Sequence, residues 1–349
     1  MIVTIDLIER TYDVVLADGA RHRLAELVRL RAPSAQACAI VTSAALRELP
    51  WFDLDAGIAQ YVIEVPEGEA AKTLSTIESV CERLAELGLS RHDVVIGVGG
   101  GAITDLAGFA AAVYTRGIAV IQVPTTLVGQ VDAAIGGKTA VNLRSGKNLV
   151  GAFHQPLGVL CDFETLATLP ERERLGGLGE VAKCWLLEGR DVAELARCSL
   201  SELVTMSVEL KAAIVTVDEF EGGQRALLNY GHTLGHALEI VALAHDVDEL
   251  RHGEAVAIGL AFAVRLAHGL GRVDADEIVR HDEVLATLGL TGRVPAVFDS
   301  RALVQAMSRD KKAHHDLAFV LAGPNGFGVV RDVDPEVVAN VLERFRGEQ

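Results

Sequence analysis

Between residues 12 and 123 the chain alternates short β-branched runs with helical patterns, and few folds accept that order. Residues 12–16, 37–42, 61–65, 94–98 and 119–123 read as strands, and 23–30, 73–87 and 103–113 as the helices between them. Such alternation builds βαβ units, whose parallel strands must be covered on both faces. The composition suits a buried sheet, with half of the residues apolar, only 5% aromatic and a mean hydropathy of +0.30. At 349 residues the chain exceeds the size at which one hydrophobic core usually stops growing, so two domains are expected. After about residue 165 the pattern changes to long Ala/Leu/Glu-rich stretches, with few strand signals before 318–321. The expected fold is an α/β N-terminal nucleotide-binding domain with a mostly parallel sheet (1–165) and an all-α C-terminal domain (166–349).

The nucleotide expectation comes from one turn. The strand 94–98 runs into Gly99, Gly100 and Gly101 and then into a helix holding Asp105. Glycines there let a phosphate approach the backbone, and a helix N-terminus offers free N–H groups and a positive dipole end. A GGG turn is not the G-x-G-x-x-G fingerprint, and alone it is weak evidence. The next strand ends in Pro124-Thr125-Thr126, which puts two hydroxyls at the carboxyl edge of the same sheet, where open α/β sheets bind ligands.

The run EGGQRALLNYGHTLGHALE, residues 221–239, is the densest polar feature. Arg225, Asn229, His232 and His236 fall at offsets 0, 4, 7 and 11, so a continuous helix would carry them on one stripe. The stripe lacks the Lys/Glu pairing of a solvated face, although a wet surface holding two histidines is the bland reading. Spacing alone would pair His232 with His236 as metal ligands. Further along, Glu180 and Lys183 share a helix face in GLGEVAKCWLL, where a local ion pair is the plain alternative. Residues 132–148 form an unusually polar connection, either a glycine-rich surface loop or, given its apolar flanks, a set of phosphate or carboxylate ligands. Lys211 taken alone reads as surface, Arg251-His252-Gly253-Glu254 places an imidazole at a helix start, and Asp310-Lys311-Lys312 could be a charged turn.

Charge and cysteines limit the partners. The net charge of −16 argues against nucleic acid or an anionic membrane as the main partner. Cys38, Cys81, Cys161, Cys184 and Cys198 are odd in number, lack a CxxC and sit in apolar contexts, so they read as reduced small hydrophobes. No secretory signal opens the chain and no apolar run reaches 18 residues, so a soluble, cytoplasmic protein is expected.

These pieces together resemble the 3-dehydroquinate synthase family of sugar phosphate cyclases. GGGAITDLAGFAAAVYTRG, QVPTTLVGQVDAAIGGKTAVN, GKNLVGAFHQP, GLGEVAK, LLNYGHTLGHALE, RHGEAVAIG and RDKKA occur in the family's order over about residues 60–320. The resemblance implies an NAD-binding α/β domain, a helical metal- and substrate-binding domain, tightly held NAD and one divalent metal, zinc or cobalt. It implies Glu180, His232 and His252 as metal ligands, which replaces the His232/His236 pair that spacing suggested. It implies substrate contacts at Asp132, Lys138, Asn148, Lys183, Lys211, Arg225, Asn229 and Lys311, with Arg116 and the phosphate-side His236 among the catalytic set. NAD contacts are implied at Glu69, Lys72, Gly99, Gly100, Gly101, Asp105, Thr125, Thr126, Lys138, Lys147, Thr165 and Thr168. Ser43 stands near the place of an Asp that in the family contacts the nucleotide ribose. Four or so extra residues lengthen the connection between His236 and His252.

The implied reaction converts 3-deoxy-D-arabino-heptulosonate 7-phosphate to 3-dehydroquinate and phosphate by transient oxidation, phosphate elimination, reduction, ring opening and aldol closure. Aminodehydroquinate synthesis from the amino analogue runs the same steps, and the motifs do not separate the two. Valiolone-type or inosose cyclases are a further alternative, but this chain keeps the dehydroquinate-type GGKT, Asn229 and Arg225. Metal-dependent polyol dehydrogenases of related fold share the glycine turn and histidine helix, and the dense lysine and arginine set argues for a phosphorylated substrate instead. A catalytically dead NAD-binding regulator is opposed by the intact Glu180, His232, His252 and Lys183. The expected partner is thus a small sugar acid phosphate, and a homodimer is expected by resemblance.

Overall fold

The computed structural model describes residues 1–8, 10–244, 250–309 and 317–348. Lys311 lies outside the described residues. The chain divides into two compact units, one formed by 1–170 with 204–220 and the other by 171–203 with 221–349.

The first unit is built in chain order from β1 (Ile2–Asp6), β2 (Thr11–Ala17), α1 (Leu24–Arg31), β3 (Ala37–Thr42), α2 (Ala44–Arg47), β4 (Ala59–Glu64), α3 (Leu74–Glu86), β5 (Val94–Gly99), α4 (Gly101–Val113), β6 (Ala119–Pro124), β7 (Lys138–Leu143), β8 (Gly146–Phe153) and β9 (Gly158–Asp162). Seven strands make one sheet in the order β1-β2-β9-β6-β5-β3-β4. Only β1 runs antiparallel to its neighbour; the other pairings are parallel. Alternate residues of β5 enter opposite cores, as a doubly covered sheet requires. Val95 packs with Val41, Val80, Leu106 and Phe109, whereas Ile96 packs with Ile40, Ile121, Leu24 and Val28.

Two expectations change here. Residues 132–148 are not a loop. They pass from a short π-helical turn at Gly129–Ala133 into the antiparallel β7–β8 hairpin, a separate two-stranded sheet. β1 and β9 also belong to the large sheet, although neither stood out in the sequence pattern.

The second unit holds α5 (Glu171–Leu187), α6 (Val192–Leu195) and the first residues of α7 (Leu200–Val217), whose remainder belongs to the first unit. There follow α8 (His232–Ala244), α9 (His252–Gly269), α10 (Ala275–Thr287), α11 (Ser300–Arg309), the hairpin β10 (Phe319–Gly323) and β11 (Gly326–Val330), and α12 (Pro335–Gly347). The unit is helical around α9, which is buried along most of its length. All five cysteines are free. Among the described residues no helix is long and apolar enough to cross a membrane.

Candidate active site

The continuous helical stripe expected over residues 221–239 does not exist. Gln224–Asn229 is a 3-10 turn, Gly231 takes φ 80, and α8 begins only at His232. A left-handed φ is strained for a residue with a Cβ, so Gly231 breaks the helix and redirects the chain. Arg225 and Asn229 therefore leave the α8 surface. Arg225 is buried at 2% exposure, and Asn229 donates its amide to Glu221 Oε1 at 2.8 Å.

Three side chains from three helices converge in the second unit. Glu180 comes from the middle of α5, His232 from the first residue of α8 and His252 from the first residue of α9. One ligand atom from each lies within 4.8 Å of the others. Glu180 Oε1 is 3.4 Å from His232 Nε2 and 3.1 Å from His252 Nε2. Both imidazoles are held from behind: His232 Nδ1 donates to the Tyr230 carbonyl at 3.1 Å, and His252 Nδ1 lies 3.2 Å from Glu239 Oε2. Such partners fix which ring nitrogen faces forward. His236 stays beside them, its ring centroid 5.3 Å from that of His232.

Glycines explain how three helix segments come so close. A Cβ on Gly253 would overlap the Gly176 carbonyl oxygen, one on Gly179 would overlap that of Gly253, and one on Gly259 would overlap that of Gly231. α5 meets α9, and α9 meets the turn before α8, main chain to main chain. Each of the three converging residues has one of these glycines as its immediate neighbour: Gly179 beside Glu180, Gly231 beside His232, Gly253 beside His252.

Electrostatics sharpen the picture. Burial alone would push the Glu180 pKa up, but the Lys183 charge, followed by His232 and His252, holds it well below the usual carboxylate range. Lys183 is itself buried and ion-paired with Glu180. Burial pushes the His232 pKa below the usual imidazole value against the pull of Glu180, which favours the neutral ring. With Nδ1–H spent on Tyr230, the Nε2 lone pair of His232 then faces a carboxylate oxygen, an arrangement that asks for a cation. Burial would also depress His252, but its hydrogen bonds to Glu180 and Glu239 carry it to about 10. A His/His/carboxylate set of this kind suits a catalytic zinc or a similar divalent ion.

In the first unit, a second cluster lies around the glycine turn. Gly99 ends β5, Gly100 caps α4 and Gly101 starts it, and a Cβ on Gly100 would come 2.9 Å from Thr126 Cγ2. Thr125 Oγ1, at the end of β6, is buried without a hydrogen-bond partner, an orphaned donor at the carboxyl edge of the sheet. Lys72 Nζ donates to Asp105 Oδ2 at 2.6 Å and to Asn148 Oδ1 at 2.5 Å. Burial raises Asp105 to about 6 against the pull of Lys72. Glu69 accepts from Asn142 Nδ2 at 2.6 Å, and the Asn148 N–H donates to Asn142 Oδ1 at 2.9 Å. The structure thus brings Glu69, Lys72, Asp105 and Asn148 together.

Other expected residues take different places. Lys211, which read as surface, is buried and reaches Asp132 Oδ1 and the Asp132 carbonyl at 2.5 Å each. Lys138 and Lys147 are exposed on the β7–β8 hairpin. Arg116 is exposed with a left-handed φ of 65 in the turn after α4. Thr165 donates to the Asp162 carbonyl at 2.7 Å, and Thr168 accepts from Trp51 Nε1 at 2.8 Å. Ser43 caps α2, accepting from the Leu46 N–H. Glu221, Tyr230 and Glu239 were not singled out from the sequence. For Glu239 a signal was present, since it follows His232 by seven residues, two helical turns on one face.

The description of the 3-dehydroquinate synthase N-terminal region matches residues 62–175, and that of the C-terminal region matches 177–313. A protein of Amycolatopsis mediterranei named "Putative aminodehydroquinate synthase" is 49% identical over 343 residues, covering 98% of this chain and 94% of its own. The 3-dehydroquinate synthase of Mycobacterium leprae is 41% identical over 322 residues, 87% of this chain and 86% of its own. Among solved structures, the 2-epi-5-epi-valiolone synthase of Streptomyces hygroscopicus subsp. jinggangensis 5008, with NAD+ and Zn2+ bound, superposes with a TM-score of 0.82 at 29% identity over 99% of both chains.

Proposed function

The chain belongs to the 3-dehydroquinate synthase family, and from that premise we propose that it converts 3-deoxy-D-arabino-heptulosonate 7-phosphate to 3-dehydroquinate and phosphate, using NAD and one divalent metal. The observation that carries this reading is the convergence of Glu180, His232 and His252 within 4.8 Å, each imidazole turned so that Nε2 faces the carboxylate. These three residues would hold the metal. The glycine turn 99–101, Thr125, Thr126 and the Glu69–Lys72–Asp105 group would hold NAD, with Lys147, Thr165 and Thr168 supporting it. When bound, NAD would supply a hydride acceptor and the metal a Lewis acid for substrate hydroxyls.

The remaining residues bind and orient. Lys183 keeps Glu180 ionised, so the site carries its carboxylate at neutral pH. Lys183, Lys211 and Arg225 are buried cations, and a cation kept out of water is suited to a desolvated phosphate or carboxylate. Asn229 is held by Glu221, so its carboxamide presents one orientation. Asp132, Lys138, Asn148, Arg116 and His236 complete the substrate set we propose. The sequence of steps asks for positioned charge more than for a strong base.

A second reading is the same chemistry on the amino analogue. The 49% identity to the Amycolatopsis protein over nearly the full chain, against 41% for the Mycobacterium synthase over less of it, favours this reading. Incubating the protein with NAD, Zn2+ and either substrate while following inorganic phosphate tests both. Phosphate release without net NADH is expected, and the faster substrate names the branch. Steady NADH production from a simple polyol without phosphate release would overturn both in favour of a dehydrogenase.

A further inference from the structure

We propose that Glu239 is a positioning residue for His252, the outer carboxylate of a carboxylate–imidazole–metal arrangement; this rests on the metal-dependent reading above. Glu239 Oε2 lies 3.2 Å from His252 Nδ1, and the Glu239 side chain is only 9% exposed. On the other side of the ring, His252 Nε2 lies 3.1 Å from Glu180 Oε1. The imidazole is therefore spanned between two carboxylates, and its rotation is fixed at both nitrogens.

The two histidines differ in how much they need such help. The His232 side chain is 11% exposed, whereas that of His252 is 35% exposed at the first residue of α9. Packing holds the first ring, together with the Tyr230 carbonyl. The second has less around it and takes a charged acceptor in place of a neutral one. α8 supplies both His232 and Glu239, which stands two turns after His232 on the same helix face. That helix carries one ligand and the orienting group of another.

The chemistry follows from the acceptor. A carboxylate on Nδ1 fixes the tautomer and strengthens Nε2 as a donor to a metal. With Glu180 ion-paired to Lys183, Glu239 places a second carboxylate beside the two imidazoles.

The test measures ion binding apart from turnover. Metal-free full-length protein is titrated with Co2+ and Zn2+ against a competing chelator, and the visible bands of bound Co2+ are recorded for the parent, Glu239→Gln, Glu239→Ala and His232→Ala. Glu239→Gln, close in shape, is expected to weaken binding roughly 10- to 100-fold and to shift the Co2+ bands, with Glu239→Ala at least as affected and both variants folded by circular dichroism. Folded Glu239 variants that bind Co2+ within about twofold of the parent with unchanged bands overturn the inference alone. A parent that takes up no ion dependent on His232 overturns the metal reading and this inference together.

Discussion

The Tyr230 hydroxyl donates to His281 Nε2 at 2.7 Å, and His281 Nδ1 donates to the Glu277 carbonyl at 2.8 Å. Both rings are fully buried, which disfavours the charged imidazolium although Glu277 Oε1 lies 3.3 Å from His281 Nδ1. Burial pushes the His281 pKa down to about 4 from 6.5. A depressed histidine contributes stability that is complete above about pH 6.5 and is lost as pH falls from there through 4, because the unfolded chain binds the proton more readily. The full swing is on the order of 3 kcal/mol. Urea unfolding of the parent and of His281→Gln at pH 7 and pH 4.5 should give a smaller loss on acidification for the variant. Equal losses would remove His281 from the account.

His232→Ala should abolish ion binding and turnover together. The expected loss of affinity exceeds the roughly 10- to 100-fold that follows removal of an outer partner. Metal analysis of the purified variant decides it, since retention of zinc with a full rate rejects the ligand assignment.

Arg225→Ala should weaken substrate binding by about 10- to 100-fold, the range of a lost charge-assisted hydrogen bond, while NAD affinity stays near that of the parent. Calorimetric titration with each ligand separates the two. Equal losses in both would move Arg225 out of the substrate set.

Lys72 and Asp105 form an ion pair whose side chains are 4% and 16% exposed. Removing either alone leaves a charge with little water, so Lys72→Met and Asp105→Leu should each cost up to about 3 kcal/mol. The double variant should cost clearly less than their sum in a denaturant cycle, and strict additivity would show that the pair is not coupled. Affinity for NAD should fall in all three, because the stability regained by the double variant does not restore the lost groups.

Gly253→Ala inserts a methyl group against the Gly176 carbonyl and so forces α5 and α9 apart. Ion affinity should fall more than about tenfold although no ligand is changed. Chelator competition on the folded variant checks this, and parent-like affinity would mean that the helices can part without disturbing the three donors.

The large sheet was legible because its strands obey local rules. β3 lies at residues 37–42 as read, and β5 and β6 extend each expected strand by one residue, since buried parallel strands are nearly continuous apolar runs. The β7–β8 hairpin was hidden because both strands carry Lys and Asn and β8 adds two glycines, residues depleted in strands, and the pairing is set by tertiary neighbours. The stripe over 221–239 failed for a reason visible only in three dimensions. Gly231 fits a helix pattern at modest cost, but its carbonyl is pressed against Gly259 of α9, and that contact selects the left-handed turn. Reading His232, Glu180 and His252 as one set depends on motif resemblance, because no single periodicity relates residues on three different helices. Lys211 was missed as an interior group because its partner, Asp132, is 79 residues away.

The glycine contacts among α5, α9 and the turn before α8 bear on how such a chain can change over time. Where main chain meets main chain there is no side chain to trade for another, so ordinary drift in the hydrophobic interior leaves the spacing of Glu180, His232 and His252 alone. Residues that would meet the organic part of a substrate sit on other segments, such as the 3-10 turn carrying Arg225 and Asn229. Selectivity can therefore be rewritten there by single exchanges while the proposed ion cage is inherited intact.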